Sequence, residues 1–199
     1  MQRRTVLIGL PLVLAGCTGQ PVWAPDEAVA RAAYVHDGPP ALTLFTVRNV
    51  GSEAGAHTSL MINASQRVIF DPAGSFSHPT IPERNDVHFG ITPRVADIYI
   101  SFHARMSYFV VVQTIEVPAA TAEQALRLAL GYGPVAKANC TRATSDILRQ
   151  LPGFDIINVT FLPDRLETRF ARLPGVTTRT FREYDPDDNS SVLANARLD

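Results

Sequence analysis

The chain has 199 residues, of which 46% are hydrophobic, and its 18 basic and 19 acidic residues give a formal net charge of −1. A mildly acidic chain with scattered charges offers no basic surface to a phosphate backbone, so no nucleic-acid partner is expected. The length and apolar content suffice for one domain with its own core.

Residues 1–17, MQRRTVLIGLPLVLAGC, have the organisation of a bacterial export signal. A basic start precedes an apolar run at residues 6–14, which is shorter than the roughly 20 residues of a spanning helix. The closing LAGC resembles the lipobox of bacterial lipoproteins, in which the peptide is cut before the cysteine and Cys17 carries the lipid. The alternatives are an ordinary signal peptide with a chance cysteine and, for the export route, a twin-arginine rather than a general secretory signal.

Four segments are expected along the chain, namely a signal peptide, a lipid anchor with its linker, a globular domain and a poorly ordered tail, at residues 1–16, 17–30, 31–184 and 185–199. The domain would therefore be held at a membrane through the lipid on Cys17. It would face the periplasm, from the outer membrane rather than the inner one.

Apolar runs rich in β-branched residues predict six strands, at residues 41–47, 56–62, 67–71, 97–103, 106–117 and 156–161. The second and third are close enough to form a tight hairpin. The fifth is apolar almost throughout, which is typical of a central strand buried on both faces. The polar residues between the third and fourth strands predict a long irregular loop.

Three helices are predicted, at residues 121–130, 140–150 and 163–172. A capping box opens the first, and Asn139 is a good N-cap for the second. Strands followed by helices and a further strand favour an α+β domain, with an antiparallel sheet packed against a few helices.

Cys140 is the second of only two cysteines. Lipidation of Cys17 leaves it without an intramolecular disulfide partner, so it is either a buried small hydrophobe or a thiol that is used. In the first turn of a helix its thiolate would be favoured by the helix dipole, and its backbone N–H could donate to an oxyanion. Cysteine catalysis also needs a base and a group that orients the base.

His57 is the candidate base, because the small residues around it leave room for its ring. Asp71 is the candidate orienting group, on the next strand of the hairpin. A turn centred on Ala64 would place the two side chains directly opposite on one face, whereas an even-numbered loop would put Asp71 on the other face. A carboxylate opposite His57 would fix its tautomer and favour its protonated form.

The stretch HTSLMINASQRVIFDPAG resembles the histidine hairpin of the NlpC/P60 superfamily of papain-like cysteine hydrolases, and NCTRATSDILR resembles the segment around its nucleophile. The histidine precedes the cysteine, as in the circularly permuted branch. The resemblance spans residues 40–160 and implies a permuted papain-like domain with Cys140 as nucleophile, His57 as base and Asp71 as orienting residue. Many members have a histidine where this chain has Asp71. The oxyanion side chain has no clear match, and Tyr132 is the candidate.

The permuted branch includes amidase-like, peptidase-like and lipid acyltransferase or deacylase proteins. The resemblance thus implies a cysteine hydrolase or acyltransferase acting on an amide or ester. Its substrate would be a cell-wall peptide by first choice and an acyl lipid by second, on grounds of location. The alternative is a non-catalytic envelope lipoprotein that keeps the fold as a binding or structural module.

No cofactor and no metal ion are expected. His78 and His88 lie in the polar loop near two acidic residues, but their spacing fits no compact zinc pattern. His103 is expected to be structural, with a position in the lining of a cleft as the alternative.

Overall fold

The computed structural model describes residues 19–194, so Cys17 and the predicted signal peptide lie outside the described residues. The described chain is an α+β domain built on one antiparallel sheet. Its strands are β1 (Ala41–Asn49), β2 (Gly55–Asn63), β3 (Arg67–Phe70), β4 (Glu83–Arg84), β5 (Val87–Phe89), β6 (Tyr108–Glu116) and β7 (Thr177–Arg182). Their order across the sheet is β4-β5-β3-β2-β1-β6-β7, and the sheet is open.

The helices of the described chain are α1 (Asp26–Ala32), α2 (Pro93–His103), α3 (Ala119–Leu130), α4 (Cys140–Leu148), α5 (Pro163–Phe170) and α6 (Ser190–Ala194). Within residues 19–194 no helix is long and apolar enough to cross a membrane. The last helix lies inside the segment that the sequence predicts to be poorly ordered.

Both faces of the sheet are covered, which follows from the pattern of β1. Leu42 and Leu44 point to one face and pack beneath α3, α4 and α5. Phe45 and Val47 point to the other and pack beneath α2. Because successive side chains of a strand alternate between faces, a strand that is apolar at nearly every position must be buried on both.

The predicted strand at residues 97–103 is wrong, because this segment is the second half of α2. The Thr92 side chain caps the helix by accepting a hydrogen bond from the Val95 N–H at 3.2 Å, and Pro93 occupies the first turn. Proline in the first turn and threonine at the cap are strong helix-start signals. The buried side chains then recur at helical spacing, at Val95, Ile98, Tyr99 and Phe102.

The predicted strand at residues 156–161 is also wrong. The Ile157 N–H donates to the Phe154 carbonyl at 2.8 Å in a turn. The Thr160 N–H donates to Ser145 Oγ on α4 at 3.1 Å. A turn and a helix side chain therefore satisfy this backbone, and no neighbouring strand is needed.

Two further elements, α3 and β7, differ from the sequence-based expectation. α3 begins at Ala119, directly after Pro118, so Thr121 lies inside the helix and is not its cap. β7, which the sequence did not predict, pairs with β6 at the sheet edge and is mostly exposed, so it has no apolar pattern to reveal it.

The β2–β3 hairpin forms, but with a shifted register. Leu60 pairs with Phe70 and Asn63 with Arg67, so the turn centres on Ser65 and not on Ala64. The Ser65 N–H donates to a carboxylate oxygen of Glu123 on α3, which fixes the turn. A shift of this parity keeps position 71 on the same face as position 57.

The described part of the expected linker lies against the sheet edge. The Ala24 N–H donates to the Glu83 carbonyl at 2.9 Å, and the Asn85 N–H donates to the Val22 carbonyl at 3.0 Å. The Arg84 guanidinium stacks 4.6 Å from the Trp23 ring centroid. These contacts make residues 22–24 an added edge of the domain.

Candidate active site

His57 and Asp71 are in direct contact. His57 is the third residue of β2, and Asp71 follows the last residue of β3. The His57 Nε2 atom lies 2.7 Å from Asp71 Oδ1, and the Asp71 side chain is fully buried. A buried carboxylate is costly unless it is paired, so this contact holds the imidazole in place.

Cys140 completes the arrangement from the other side of the ring. It is the first residue of α4, and its thiol lies close enough to the His57 side chain for each group to shift the pKa of the other. Because Nε2 is engaged by Asp71, Nδ1 is the ring nitrogen left for the sulfur. The Thr58 N–H also faces the sulfur and contributes to lowering the pKa of the thiol. The structure thus brings the three predicted residues into one continuous chain of contacts.

The charges of the site follow from these contacts. Burial raises the pKa of the Cys140 thiol, but the hydrogen bond and charge of His57 outweigh it and lower that pKa from 9.0 to about 7. Burial lowers the pKa of His57, but the Asp71 carboxylate outweighs it and raises that pKa to about 10. Against the effect of burial, His57 also holds the pKa of Asp71 well below its usual value. Above pH 7 the site therefore favours a thiolate beside an imidazolium.

Tyr99 is a member of the site that the sequence did not reveal. Its hydroxyl lies 2.7 Å from Asp71 Oδ1 and 2.7 Å from Ser59 Oγ, and all three side chains are buried. With a single proton, it donates to the carboxylate and accepts from the serine. Burial raises the pKa of Tyr99, which keeps it a neutral donor.

His103 also lies in the site, where its ring stacks on that of His57 with centroids 5.9 Å apart and planes 10° from parallel. Its Nδ1–H donates to the Tyr99 carbonyl at 2.8 Å. Burial lowers the pKa of His103 to about 4. A neutral ring therefore faces the protonated His57, and the positive charge stays next to the thiolate.

Three of these residues also offer ligand atoms to a metal ion, since one atom each of His57, Asp71 and His103 lies within 4.8 Å of the others. Two ligands of one tetrahedral zinc ion are roughly 3.3–3.5 Å apart when each bond is about 2.0–2.2 Å. The 2.7 Å separation of His57 Nε2 and Asp71 Oδ1 is shorter and fits a hydrogen bond. The arrangement thus matches a hydrogen-bonded triad better than a ligand set.

The backbone at the start of α4 can stabilise an oxyanion. The first hydrogen bond of the helix runs from the Ala143 N–H to the Asn139 carbonyl at 2.9 Å. The amides of residues 140–142 precede it and have no acceptor within the helix. Tyr132, the candidate oxyanion side chain, instead donates its hydroxyl to Asp146 Oδ2 at 3.5 Å. The amides are the better candidates.

A cleft of about 800 Å³ opens beside Asp71, between the loop that follows β3 and the segment that leads into α4. Asp86 joins these two walls. One of its carboxylate oxygens accepts from the Ala73 N–H at 3.2 Å, and the other accepts from the Val135 N–H at 2.7 Å. Residues 135–137 line the cleft and Cys140 follows three residues later in the chain, but of the three predicted site residues only Asp71 belongs to the lining.

Gly74 leaves no room for a side chain beside Asp71. A Cβ atom at this position would lie 1.9 Å from Asp71 Oδ2. We expect Gly74→Ala to displace the carboxylate, to lower the free energy of unfolding by about 1–3 kcal/mol and to slow thiol modification at Cys140. Denaturant unfolding and the rate of iodoacetamide labelling measure the two effects. The matched control is Gly131→Ala, whose new carbon would meet Arg127 O at 3.4 Å; equal behaviour of the two variants would contradict the expectation.

Comparisons with known proteins found no matching family model, no matching curated protein and no matching solved structure.

Proposed function

We propose that this protein is a membrane-anchored cysteine hydrolase or acyltransferase that acts on an amide or ester through Cys140, His57 and Asp71. The observation that carries the proposal is the His57 ring, which contacts the buried Asp71 carboxylate through one edge and the Cys140 thiol through the other. Nucleophile, base and orienting group in this order are what nucleophilic cysteine chemistry requires.

In the first half of the reaction, the Cys140 thiolate attacks the carbonyl carbon of the substrate. The carbonyl oxygen becomes an oxyanion that the amides at the start of α4 receive. His57 then gives its proton to the departing amine or alcohol, and the carbon–nitrogen or carbon–oxygen bond breaks. The acyl group remains on Cys140 as a thioester.

In the second half, neutral His57 accepts a proton from the incoming water or acceptor alcohol. The oxygen of that molecule attacks the thioester carbon, and the carbon–sulfur bond breaks. Cys140 leaves as a thiolate, and His57 is again an imidazolium. Water as the acceptor gives hydrolysis, whereas an alcohol or amine gives transfer.

The resemblance to the permuted NlpC/P60 branch suggests a papain-like fold for this proposal, and the expected location at a membrane suggests the substrate. The histidine strand lies ahead of the cysteine helix in the chain, as in the permuted papain-like branch, and α4 packs on β2 here. A lipid on Cys17 would hold the domain at the periplasmic face of a membrane. An amide of a cell-wall peptide is the first candidate substrate, and an acyl lipid the second.

The rate of iodoacetamide labelling at pH 7 tests the central claim. In the wild type about half of the Cys140 population is thiolate at pH 7, because its pKa is about 7. Without the His57 charge that pKa returns toward its ordinary value, and the labelling rate should fall roughly 10- to 50-fold in His57→Ala.

His78→Ala is the matched control, because the side chain of this half-buried histidine hydrogen-bonds within its own loop, to Thr80. It should label at the wild-type rate. If His57→Ala also labels at that rate while remaining folded, His57 is not the base and the proposal fails.

A further inference from the structure

A second hollow lies on the α2 face of the sheet, at the end far from Cys140. Its volume is about 380 Å³, within the range of small-molecule sites. The strands β1, β2, β3, β6 and β7 contribute to its floor, and α2 forms one wall. The hollow and the triad lie at opposite ends of β2, because His57 is near the start of this strand and Asn63 is its last residue.

Arg67 contributes an unsatisfied donor to this hollow. Its Nε atom is buried and has no hydrogen-bond partner. None of the ion pairs among residues 19–194 includes Arg67. Burial lowers the pKa of its guanidinium, which reflects the cost of holding the charge there. Arg67 as a whole is half-buried, but a buried donor atom without a partner is unusual, and an anionic acceptor would satisfy it.

Asn63 contributes an unsatisfied acceptor beside it. Its amide group donates to the carbonyls of Pro39 at 2.7 Å and Gly38 at 3.3 Å, which fixes the orientation of the side chain. Its Oδ1 atom is buried and has no partner. Asn63 and Arg67 are paired across β2 and β3, so both side chains project from the same face of the sheet as direct neighbours. The donor and the acceptor nevertheless do not bond to each other.

The rest of the lining suits a ligand that carries a small apolar group next to its polar group. Phe45, Met61 and Val112 supply apolar surface, and Arg179 adds a second cation from β7. The two carboxylates of the lining, Asp97 and Glu116, are exposed, and neither pairs with Arg67.

We propose that this hollow binds an N-acylated amino acid with an apolar side chain. The ligand carboxylate accepts hydrogen bonds from the Arg67 guanidinium, while the neighbouring amide N–H donates to Asn63 Oδ1. The apolar side chain packs on Phe45 and Met61. A carboxylate with an N–H on the adjacent carbon satisfies both orphan groups at once.

Calorimetric titration of the purified full-length chain with three matched probes tests the proposal. N-acetyl-leucine carries the carboxylate and the N–H, N-acetyl-leucinamide lacks the charge, and 4-methylpentanoate lacks the N–H. We expect the first to bind about tenfold or more tightly than either of the others. N-acetyl-Ala-Ala-Leu carries the same carboxylate and N–H on a longer chain. Weaker binding than that of N-acetyl-leucine would identify a free acylated amino acid as the ligand, whereas equal or tighter binding would identify a peptide C terminus.

Arg67→Gln should weaken the binding of N-acetyl-leucine about tenfold or more, because it removes the charge that meets the carboxylate. Arg172→Gln, an exposed site outside the hollow, should not change it. Cys140→Ser should bind as the wild type does, so failure of the proposed enzymatic function leaves this test intact. Equal binding of acid and amide by the wild type, an unchanged affinity in Arg67→Gln, or no binding at all because water alone fills the hollow, would each overturn the proposal.

Discussion

Asp71→Asn is expected to raise the midpoint of the pH profile for Cys140 modification from about 7 toward the ordinary thiol value of 9.0. The amide carries no charge to oppose the cost of burying an imidazolium, so the pKa of His57 falls. The thiolate loses its counter-charge in turn. At pH 7 the labelling rate should fall roughly 5- to 50-fold, since the thiolate fraction drops from about one half at a pKa of 7 to about one hundredth at a pKa of 9.

The reactivity of the thiol across pH 5 to 10 provides the measurement. Asp155→Asn is the matched control, because this exposed carboxylate makes no contact with the site. An unchanged midpoint in a folded Asp71→Asn protein would show that the carboxylate does not act through His57. Retention of Tyr99 and Ser59 limits the structural disturbance, because asparagine can still accept from the Tyr99 hydroxyl.

The free energy of unfolding should be nearly independent of pH between 7 and 9 in the wild type and should decline in Cys140→Ala. The raised pKa of His57, about 10, gives stability that is fully present below pH 6.5 and is lost as the pH rises toward 10. The lowered pKa of Cys140, about 7, gives stability that is gained as the pH rises from 7 to 9. In this window the folded and unfolded states bind nearly equal numbers of protons, so the two effects almost cancel.

Urea unfolding at pH 7, 8 and 9 measures this difference. The wild type should change by less than about 1 kcal/mol, whereas Cys140→Ala should lose roughly 2 kcal/mol, because only the His57 contribution remains. The double variant His57→Gln with Cys140→Ala should again be flat. Parallel slopes for the wild type and Cys140→Ala would show that thiolate and imidazolium are not coupled.

The contacts among the three predicted site residues depend on features that are local in the sequence. His57 and Asp71 belong to one hairpin, and the register error of the turn did not separate them because side-chain parity was preserved. Cys140 was recognisable from Asn139 and the apolar spacing that follows, since these mark the start of a helix. The α+β class and the antiparallel sheet followed from the same periodicities.

Tyr99 was missed, and His103 was expected to be structural, because their segment was assigned to a strand. The apolar residues at 98, 99, 100 and 102 hide the helical period, whereas the cap at Thr92 and the proline after it announce a helix. Thr92 lies five residues before the predicted strand at 97–103, so the start signal of the helix stands outside the segment that was assigned. The contact of Tyr99 with Asp71 still depends on how α2 packs across the sheet, which no local pattern specifies.

Asp86 is not a member of the triad, but it hydrogen-bonds to the two chain segments that carry Asp71 and Cys140. Its side chain binds the backbone at Ala73, two residues after Asp71, and at Val135, five residues before Cys140. Its own carbonyl accepts from the Asp71 N–H at 2.7 Å. Substitutions in the turn that carries Asp86 would therefore be non-additive with substitutions at both ends of the triad. In evolutionary terms, position 86 is tied to a side chain with two acceptor oxygens, whereas positions 73 and 135 need only a backbone N–H and can carry any residue but proline.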